Sequence, residues 1–499
     1  MCDTYNILII GGGVVGSAIA RELSRFDIKI AVLEKEPDVG METSCRNSGV
    51  LHSGINYKPG TNRARLSVRG NSMMDKLCSE LKVKIKRIGK LTVALDSDEL
   101  PGIERLMAQG RANNVPGLEV LDGEGIRRIQ PGAEGIAAVW SPTSAVISPY
   151  ALTIALAENA HKNGADFFLN TEVVSIGREN GLFTVTTADG RIFRSEILVN
   201  AAGLSSGRIS SMAGVTESNS GESLRIYPCR GEYYVLDKRL NGTLNTLIYP
   251  VPGAKDAGLG IHLTPTVDGN ILIGPSASYI SESAPESYKV TACVMEDLRR
   301  EGQKLLPSIK ISDYIRSFAG NRAKRTPPEV GGNADFVLEE AASLPGFINA
   351  VGIESPGLTS APAIAEEVRG IAEGIMPLVP KENFVPEREG CAEHFCELPP
   401  EEQERLIALD PEYGEVICRC EKITKKEIRR AIENSLGARS LVSIKYRARN
   451  GMGRCQGGFC TPKIVRMLRD EYGYSPEDYS LREKESALFA GNVRNAEEA

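Results

Sequence analysis

Several features are scarce in this chain, and each scarcity narrows what it can be. No apolar stretch approaches the ~20 residues that a membrane helix needs, so no direct membrane span is expected. Positive charge is not in surplus: 59 basic against 65 acidic residues leave a net charge of −6. No basic or aromatic stripe stands out either, which argues against nucleic acid and against an anionic membrane surface as partners. Histidine is rare. There are four in 499 residues, His52, His161, His262 and His394, so each can be weighed as a proton acceptor. The first apolar run has no basic leader and reads as a strand rather than a signal peptide. Eleven cysteines without an export signal point to a reducing, cytoplasmic setting with some thiols as metal ligands.

At this length a single core is excluded, and two to four domains are expected. The stretch Tyr5 to Glu36 organises the rest. Ile7-Leu8-Ile9-Ile10 reads as a buried parallel strand and runs into Gly11-Gly12-Gly13, with Gly16 three residues on. A helical pattern follows, with Ala18, Ile19, Ala20 and Leu23 on its apolar side. A second apolar run, Ile30 to Leu33, ends on Glu34. Gly11 permits the tight turn, Gly13 lets the backbone approach a pyrophosphate, and Gly16 allows close helix–strand packing. Glu34 is placed to hold both ribose hydroxyls. Strand, turn, helix and acid agree, and together they indicate dinucleotide binding.

The loop from Gly40 to Tyr57, GMETSCRNSGVLHSGINY, alternates small and hydroxyl residues with glycine. It suits a backbone pressed against a flat ring system. The pattern TSxRNSGVLHSGxxYxPG resembles the D-amino-acid-oxidase-type flavoproteins, with L-2-hydroxyglutarate dehydrogenases and the large subunit of anaerobic glycerol-3-phosphate dehydrogenase as the nearest branches. The resemblance implies an α/β fold: a Rossmann-like FAD-binding domain (about 1–83, 148–222 and 326–375) interleaved with a mixed-sheet substrate domain (about 84–147 and 223–325). It implies cofactor contacts from Lys35, Thr43, Ser44, Asn47, Ser48, Gly49, Leu51, His52, Val173, Ala202, Gly203, Gly352, Gly357, Leu358 and Thr359, beside Gly11, Gly13, Gly16 and Glu34. Core alone would fit Val173 nearly as well.

Residues 376–412 are poor in apolar periodicity and read as a linker. Cys391, His394 and Cys396 lie there and read as scattered loop residues, with no fourth ligand near. The character then changes. Cys418-Arg419-Cys420 and, 34 residues later, Cys455 to Cys460 give C-x-C and C-x4-C pairs in a stretch, 413–475, that otherwise reads as helical. Four cysteines in two tight pairs make a metal site. Zinc stays open, but the spacings differ from the usual C-x2-C pairs, and Gly451, Gly453, Gly457 and Gly458 offer backbone amides to cluster sulfides. The pattern resembles the bacterioferritin-associated-ferredoxin-like domain, which implies a [2Fe-2S] cluster. Residues 476–499 are charged and read as a loosely held tail.

A flavin beside such a cluster implies two electrons taken from substrate and passed on singly. Within GLGIHLTP, His262 matches the family's catalytic histidine, and Arg322, in AGNRAK, matches the arginine that grips the substrate anion. Tyr57 matches a pocket position. The resemblance points two ways on substrate. The domain combination is that of glycerol-3-phosphate dehydrogenases, yet those have Arg-Tyr where this chain has Asn56-Tyr57, and Gly-Gly-Lys-Leu-Thr-Thr where it has Ser355 to Ser360. Lys58, Lys324 and Arg325 are the cations able to compensate. The leading expectation is oxidation of glycerol 3-phosphate, with L-2-hydroxyglutarate or a related 2-hydroxy acid as the alternative, and a non-enzymatic electron-transfer subunit as a reading of another class. The implied partner is an electron-accepting subunit, either a second flavoprotein or a quinone-linked membrane subunit.

Overall fold

The structure is a computed structural model and describes residues 3–251, 260–389, 393–483 and 486–489. The apolar run at the start forms the strand Asp3–Ile10, which pairs in parallel with Ile30–Leu33 on one side and Ile192–Asn200 on the other. Strands Ala165–Phe168 and Phe347–Val351 extend this sheet in the same sense. The stretches Ile7 to Ile10, Ile30 to Leu33 and Ile197 to Val199 are buried on both faces, so each reads as an apolar run rather than an alternating one. Ile10, Leu33 and Asn200 lie opposite one another in register. The strand ends therefore stop at one level, where Gly11 N donates to Leu33 O at 2.9 Å. Helices Val14–Leu23, Asn62–Leu81, Pro149–Lys162 and Gly357–Ile375 cover one face. The Thr61 hydroxyl accepts the Ala64 amide, and Ser148 does the same for Ala151 with Pro149 in the first turn.

A second, nine-stranded mixed sheet forms a roof over the strand ends. Its longest ladder pairs Tyr227–Leu236 with Tyr314–Lys324, placing Arg322 opposite Cys229. Strands Lys90–Ala94, Leu247–Pro250 and His262–Pro265 are neighbours in it. A small third unit packs a short hairpin, Val416–Cys418 with Ile423–Thr424, against helices Lys425–Ile432, Leu441–Ala448 and Thr461–Tyr472. Ile428, Ile432, Ile444 and Ile464 form its core. Thr424 and Glu427 make a capping box at its first helix.

Two stretches differ from expectation. Residues 376–412 carry the helix Pro400–Leu409, and their earlier part lies along the first sheet, with Asp27 N donating to Val379 O. The stretch after Ser475, expected to hang loosely, instead closes the third unit. Tyr479 is buried in its core, and Leu441 N and Val442 N donate to Ser480 O and Leu481 O. One well-placed tyrosine outweighs the charge around it, since burying an aromatic body contributes on the order of 2 kcal/mol. Residues 490–499 lie outside the described residues. Among the described residues, no helix is long and apolar enough to cross a membrane.

Candidate active site and cofactor grooves

Close backbone approach shapes the glycine turn. Gly11 sits at φ +107°, and a Cβ there would lie 2.5 Å from the Ala201 carbonyl oxygen. A Cβ on Gly16 would lie 1.9 Å from the Gly11 carbonyl oxygen, so the helix can approach the turn only with glycine at 16. Gly13 is the N-cap of that helix, and the Val14 amide donates to Ser44 Oγ at 2.9 Å. A helix N-terminus and a hydroxyl thus share one groove, which suits a phosphate.

Glu34 is buried at the far end of this groove. Its Oε2 accepts the Gly12 amide at 2.6 Å and its Oε1 the Glu36 amide at 2.9 Å. Burial pushes its carboxyl up to about 7, while the two amides pull it down. Each oxygen keeps a further acceptor site, and the side chain lines the groove with Thr43, Val173, Ala202 and Gly203. Lys35 turns to Glu36 and Glu42, at 3.0 Å each.

The groove continues at Gly13, Thr43, Ser44 and Gly203 into a larger cavity beneath the roof. Asn47 shapes its loop wall: Nδ2 donates to Thr43 O and Ser44 O, and Oδ1 accepts from Gly49 N at 2.9 Å. Ser48, His52, Tyr57, Gly357 and Leu358 line the cavity. The other nominated residues act from behind the wall. Leu51 is core, and Gly49 at φ +69° packs on the Ile147 carbonyl. Gly352 at φ +70° packs on Arg325, and Thr359 Oγ1 accepts the His52 amide at 2.9 Å.

The roof contributes His262 and Arg322. His262 is 3% exposed, its ring stacks on Tyr249 with centroids 3.9 Å apart, and its Nδ1 lies 2.9 Å from Gly260 O. A carbonyl can only accept, so Nδ1 carries the proton and Nε2 a lone pair. That Nε2 is buried without a partner among the described residues. Burial pushes the imidazole down to about 4; the Gly260 hydrogen bond opposes this, and Lys90 and Arg322 add to it. Arg322 donates to Ser276 O at 3.3 Å from both terminal nitrogens, and no carboxylate among the described residues forms an ion pair with it. His52 lies across the cavity, with Nε2 3.3 Å from Ser355 Oγ, and burial pushes it down to about 3. Tyr57 OH is 3.5 Å from the same Ser355 hydroxyl.

In the third unit the four cysteines meet as two pairs. Cys418 and Cys460 are buried and share a hydrogen bond, while the exposed Cys420 and Cys455 have sulfurs 3.5 Å apart. Hydrogen bonding to Cys460 leads in lowering the Cys418 thiol to about 6, with help from the Gly451 and Glu421 amides. The Phe459 and Gly457 amides serve Cys455 in the same way. Cys460, bonded to Cys418, and Cys420, desolvated beside Cys455, are pushed up instead; four converging sulfurs with backbone amides aimed at them fit an iron–sulfur cluster.

Residues 6–370 match the family described as FAD dependent oxidoreductase, and residues 416–470 match the BFD-like [2Fe-2S] binding domain. The chain belongs to the FAD-dependent oxidoreductases. It is 40% identical over 496 residues to a glycerol 3-phosphate dehydrogenase of Caloramator mitchellensis, covering 98% of this chain and 99% of that one. It is 33% identical over 409 residues to the mitochondrial L-2-hydroxyglutarate dehydrogenase of Arabidopsis thaliana, covering 73% and 83%. In fold it is similar to the dithionite-reduced L-alpha-glycerophosphate oxidase of Mycoplasma pneumoniae with FAD bound, at TM-score 0.70 and 29% identity, covering 77% of this chain and 98% of that one.

As an oxidoreductase the chain takes FAD and a [2Fe-2S] cluster. Of the cations nominated to compensate in its pocket, Lys324 is tied to Glu354 at 3.3 Å and to Gly332 O, Arg325 is tied to Glu222 at 2.7 Å, and Lys58 is exposed. Sequence reasoning missed Tyr249 and Lys90. Lys90 is 1% exposed, and its Nζ donates to Asn56 Oδ1 at 2.9 Å. A signal existed: a lysine opening the strand KLTVA, whose other residues are apolar or small. His394 pairs with Glu427 at 3.1 Å, in accord with its reading as a loop residue, and Cys391 lies outside the described residues.

Proposed function

We propose that the oxidoreductase converts the secondary alcohol of glycerol 3-phosphate to the ketone of dihydroxyacetone phosphate. The carrying observation is that the unpartnered His262 Nε2 and the uncompensated Arg322 face one cavity, continuous with the dinucleotide groove. The 40% identity over nearly the whole chain supports this substrate. FAD held in this groove would supply a two-electron hydride acceptor, and a [2Fe-2S] cluster on the four cysteines would supply a one-electron acceptor.

The protein supplies position and proton transfer. The groove from Glu34 to Gly13 and Ser44 holds the dinucleotide, and the Asn47 loop with Gly357 and Leu358 walls the ring. Cys418, Cys420, Cys455 and Cys460 hold the cluster. Arg322 offers a planar fork to the substrate anion. His262, kept neutral by burial, takes the hydroxyl proton on Nε2 as the carbon–hydrogen bond breaks, and its Nδ1–H stays fixed on Gly260 O. Tyr57 and Ser355 orient the substrate. Electrons leave to an accepting protein subunit.

A second reading, oxidation of L-2-hydroxyglutarate or a similar 2-hydroxy acid, is favoured by the engagement of Lys324 and Arg325 elsewhere, which leaves fewer cations for a phosphate. Anaerobic mixing with each alcohol, watching the flavin absorbance bleach, tests both. Rapid bleaching by glycerol 3-phosphate is expected. Bleaching only by the hydroxy acid would move the assignment to the second reading, and bleaching by neither would overturn both.

A further inference from the structure

Lys90 is among the largest fully buried side chains in the molecule. Burying an ammonium is costly unless an opposite charge accompanies it. Lys324, the other fully buried lysine among the described residues, has Glu354 beside it. Lys90 has no carboxylate in ion-pair range among the described residues; its contacts are Asn56 Oδ1 at 2.9 Å and the Tyr249 ring, whose centroid lies 5.1 Å from Nζ. Both contacts belong to the substrate cavity. Asn56 and Tyr249 line it, and Tyr249 stacks on His262. Because Asn56 Oδ1 accepts from Lys90, the amide cannot flip, and its Nδ2 remains free to donate.

We infer that Lys90 is a specificity-determining cation of this site, held behind Asn56 to balance the second negative charge of a small dianionic substrate engaged at Arg322. The inference rests on the reading of the cavity as the site of an anionic alcohol. It accounts for a buried charge that the fold itself leaves uncompensated, and for an amide fixed with its donor end available. Burial pushes the Lys90 ammonium down to about 7, and an approaching anion favours its charged form again. Two charges on one phosphate and two carboxylates at the ends of a chain share this chemistry, and the experiment separates them.

The test uses the FAD-loaded protein and inert anions read by the shift they cause in flavin absorbance, so it does not depend on turnover. Glutarate carries two separated carboxylates, inorganic phosphate carries its charges at one centre, and pentanoate is a monoanion of glutarate's length. Lys90→Met should weaken glutarate or phosphate binding by about tenfold or more, the weight of one nearby charge acting through Asn56 across a partly desolvated site, and leave pentanoate within about twofold. Selective loss for glutarate assigns a distal carboxylate, and selective loss for phosphate assigns a phosphate. Asn56→Asp offers a second variant should Lys90→Met fail to fold, because a carboxylate there pairs with Lys90 and uses up its charge. It should show the same selectivity. Equal losses for dianions and pentanoate, or no loss, would overturn the inference. If neither alcohol bleaches the flavin but the dianion selectivity appears, the proposed substrates fail while the role of Lys90 stands.

Discussion

Arg447 of the third unit places its guanidinium on Asp38, a carboxylate with no exposed surface in the loop after the second parallel strand. Its Nε also reaches Glu158 at 3.1 Å. Nearby, Arg449 ties Asp268 of the roof to Glu421 of the third unit, and Tyr446 stacks on Tyr150 with its hydroxyl 3.5 Å from Cys45 Sγ in the loop from Gly40 to Tyr57. The cysteine-bearing unit is therefore docked by buried charge on Asp38 and Glu158 beside the first sheet and on Asp268 of the roof, rather than swinging on residues 376–412.

Removing one partner of a buried pair leaves the other charge stranded, at a cost of about 3–5 kcal/mol. Arg447→Ala should therefore loosen the third unit. Limited proteolysis should cut between 376 and 412 faster than in the parent protein, with FAD content unchanged. Unchanged proteolysis would show that the apolar contacts hold the unit without the ion pair.

FAD should be held non-covalently by the glycine turn. Acid precipitation should release yellow flavin to the supernatant, and flavin retained in the pellet would contradict this. Gly16→Ala should purify with little FAD, because its Cβ would fall 1.9 Å from the Gly11 carbonyl oxygen and push the helix off the turn. Full FAD content in that variant would show that the helix can shift without harm.

Cys418→Ser should remove the cluster and spare the flavin. The parent protein, purified without oxygen, should carry about two irons per chain, as a [2Fe-2S] cluster requires. The variant should lack iron yet still bleach with substrate, because the thiols lie in a separate unit from the cavity. Stoichiometric zinc in the parent would refute the cluster assignment.

Much of this was legible in the sequence because it depends on backbone. A strand–glycine–helix unit has few alternatives, so Gly11, Gly16 and Glu34 could be placed from spacing alone. The four cysteines were legible for the same reason. Lys90 was not, because its meaning comes from what surrounds it: strands 90–94, 247–250 and 262–265 are far apart in the chain and become neighbours only in the sheet. The helices Leu100–Ala112 and Leu441–Ala448 were also missed, although Ile103, Leu106 and Met107 in the first and Leu441, Ile444 and Ala448 in the second are buried at helical spacing. The division between the two substrates stayed open because it rests on a few cations whose partners only a three-dimensional arrangement shows.

His262 should give the reaction an unusual acid limb. Its pKa is lowered to about 4 by burial, below the ~6.5 of an exposed imidazole in the unfolded chain. A depressed folded value means that its contribution to stability is present above ~6.5 and is lost as pH falls through about 4. The neutral base likewise persists down to that range. The limiting rate of flavin reduction, read at saturating substrate so that the charge of Lys90 does not enter through binding, should then stay level through the pH at which free histidine titrates. A break near ~6.5 would show a solvated imidazole instead.

The roles of His262 and Arg322 can be separated because one acts on rate and the other on binding. If His262 takes the hydroxyl proton, His262→Ala should lower the limiting rate of flavin reduction by ~10²–10⁴-fold and leave the apparent dissociation constant nearly unchanged. If Arg322 grips the anion, Arg322→Lys should weaken binding about tenfold or more, since an ammonium cannot make two parallel hydrogen bonds and each charge-assisted bond is worth about 1.5–3 kcal/mol. Its limiting rate should change much less. Anaerobic stopped-flow reduction gives both quantities from one concentration series. An unchanged limiting rate in His262→Ala would reduce its stacking on Tyr249 and its bond to Gly260 to structural roles. The proton acceptor would then be sought at His52, whose Nε2 faces Ser355 on the opposite wall.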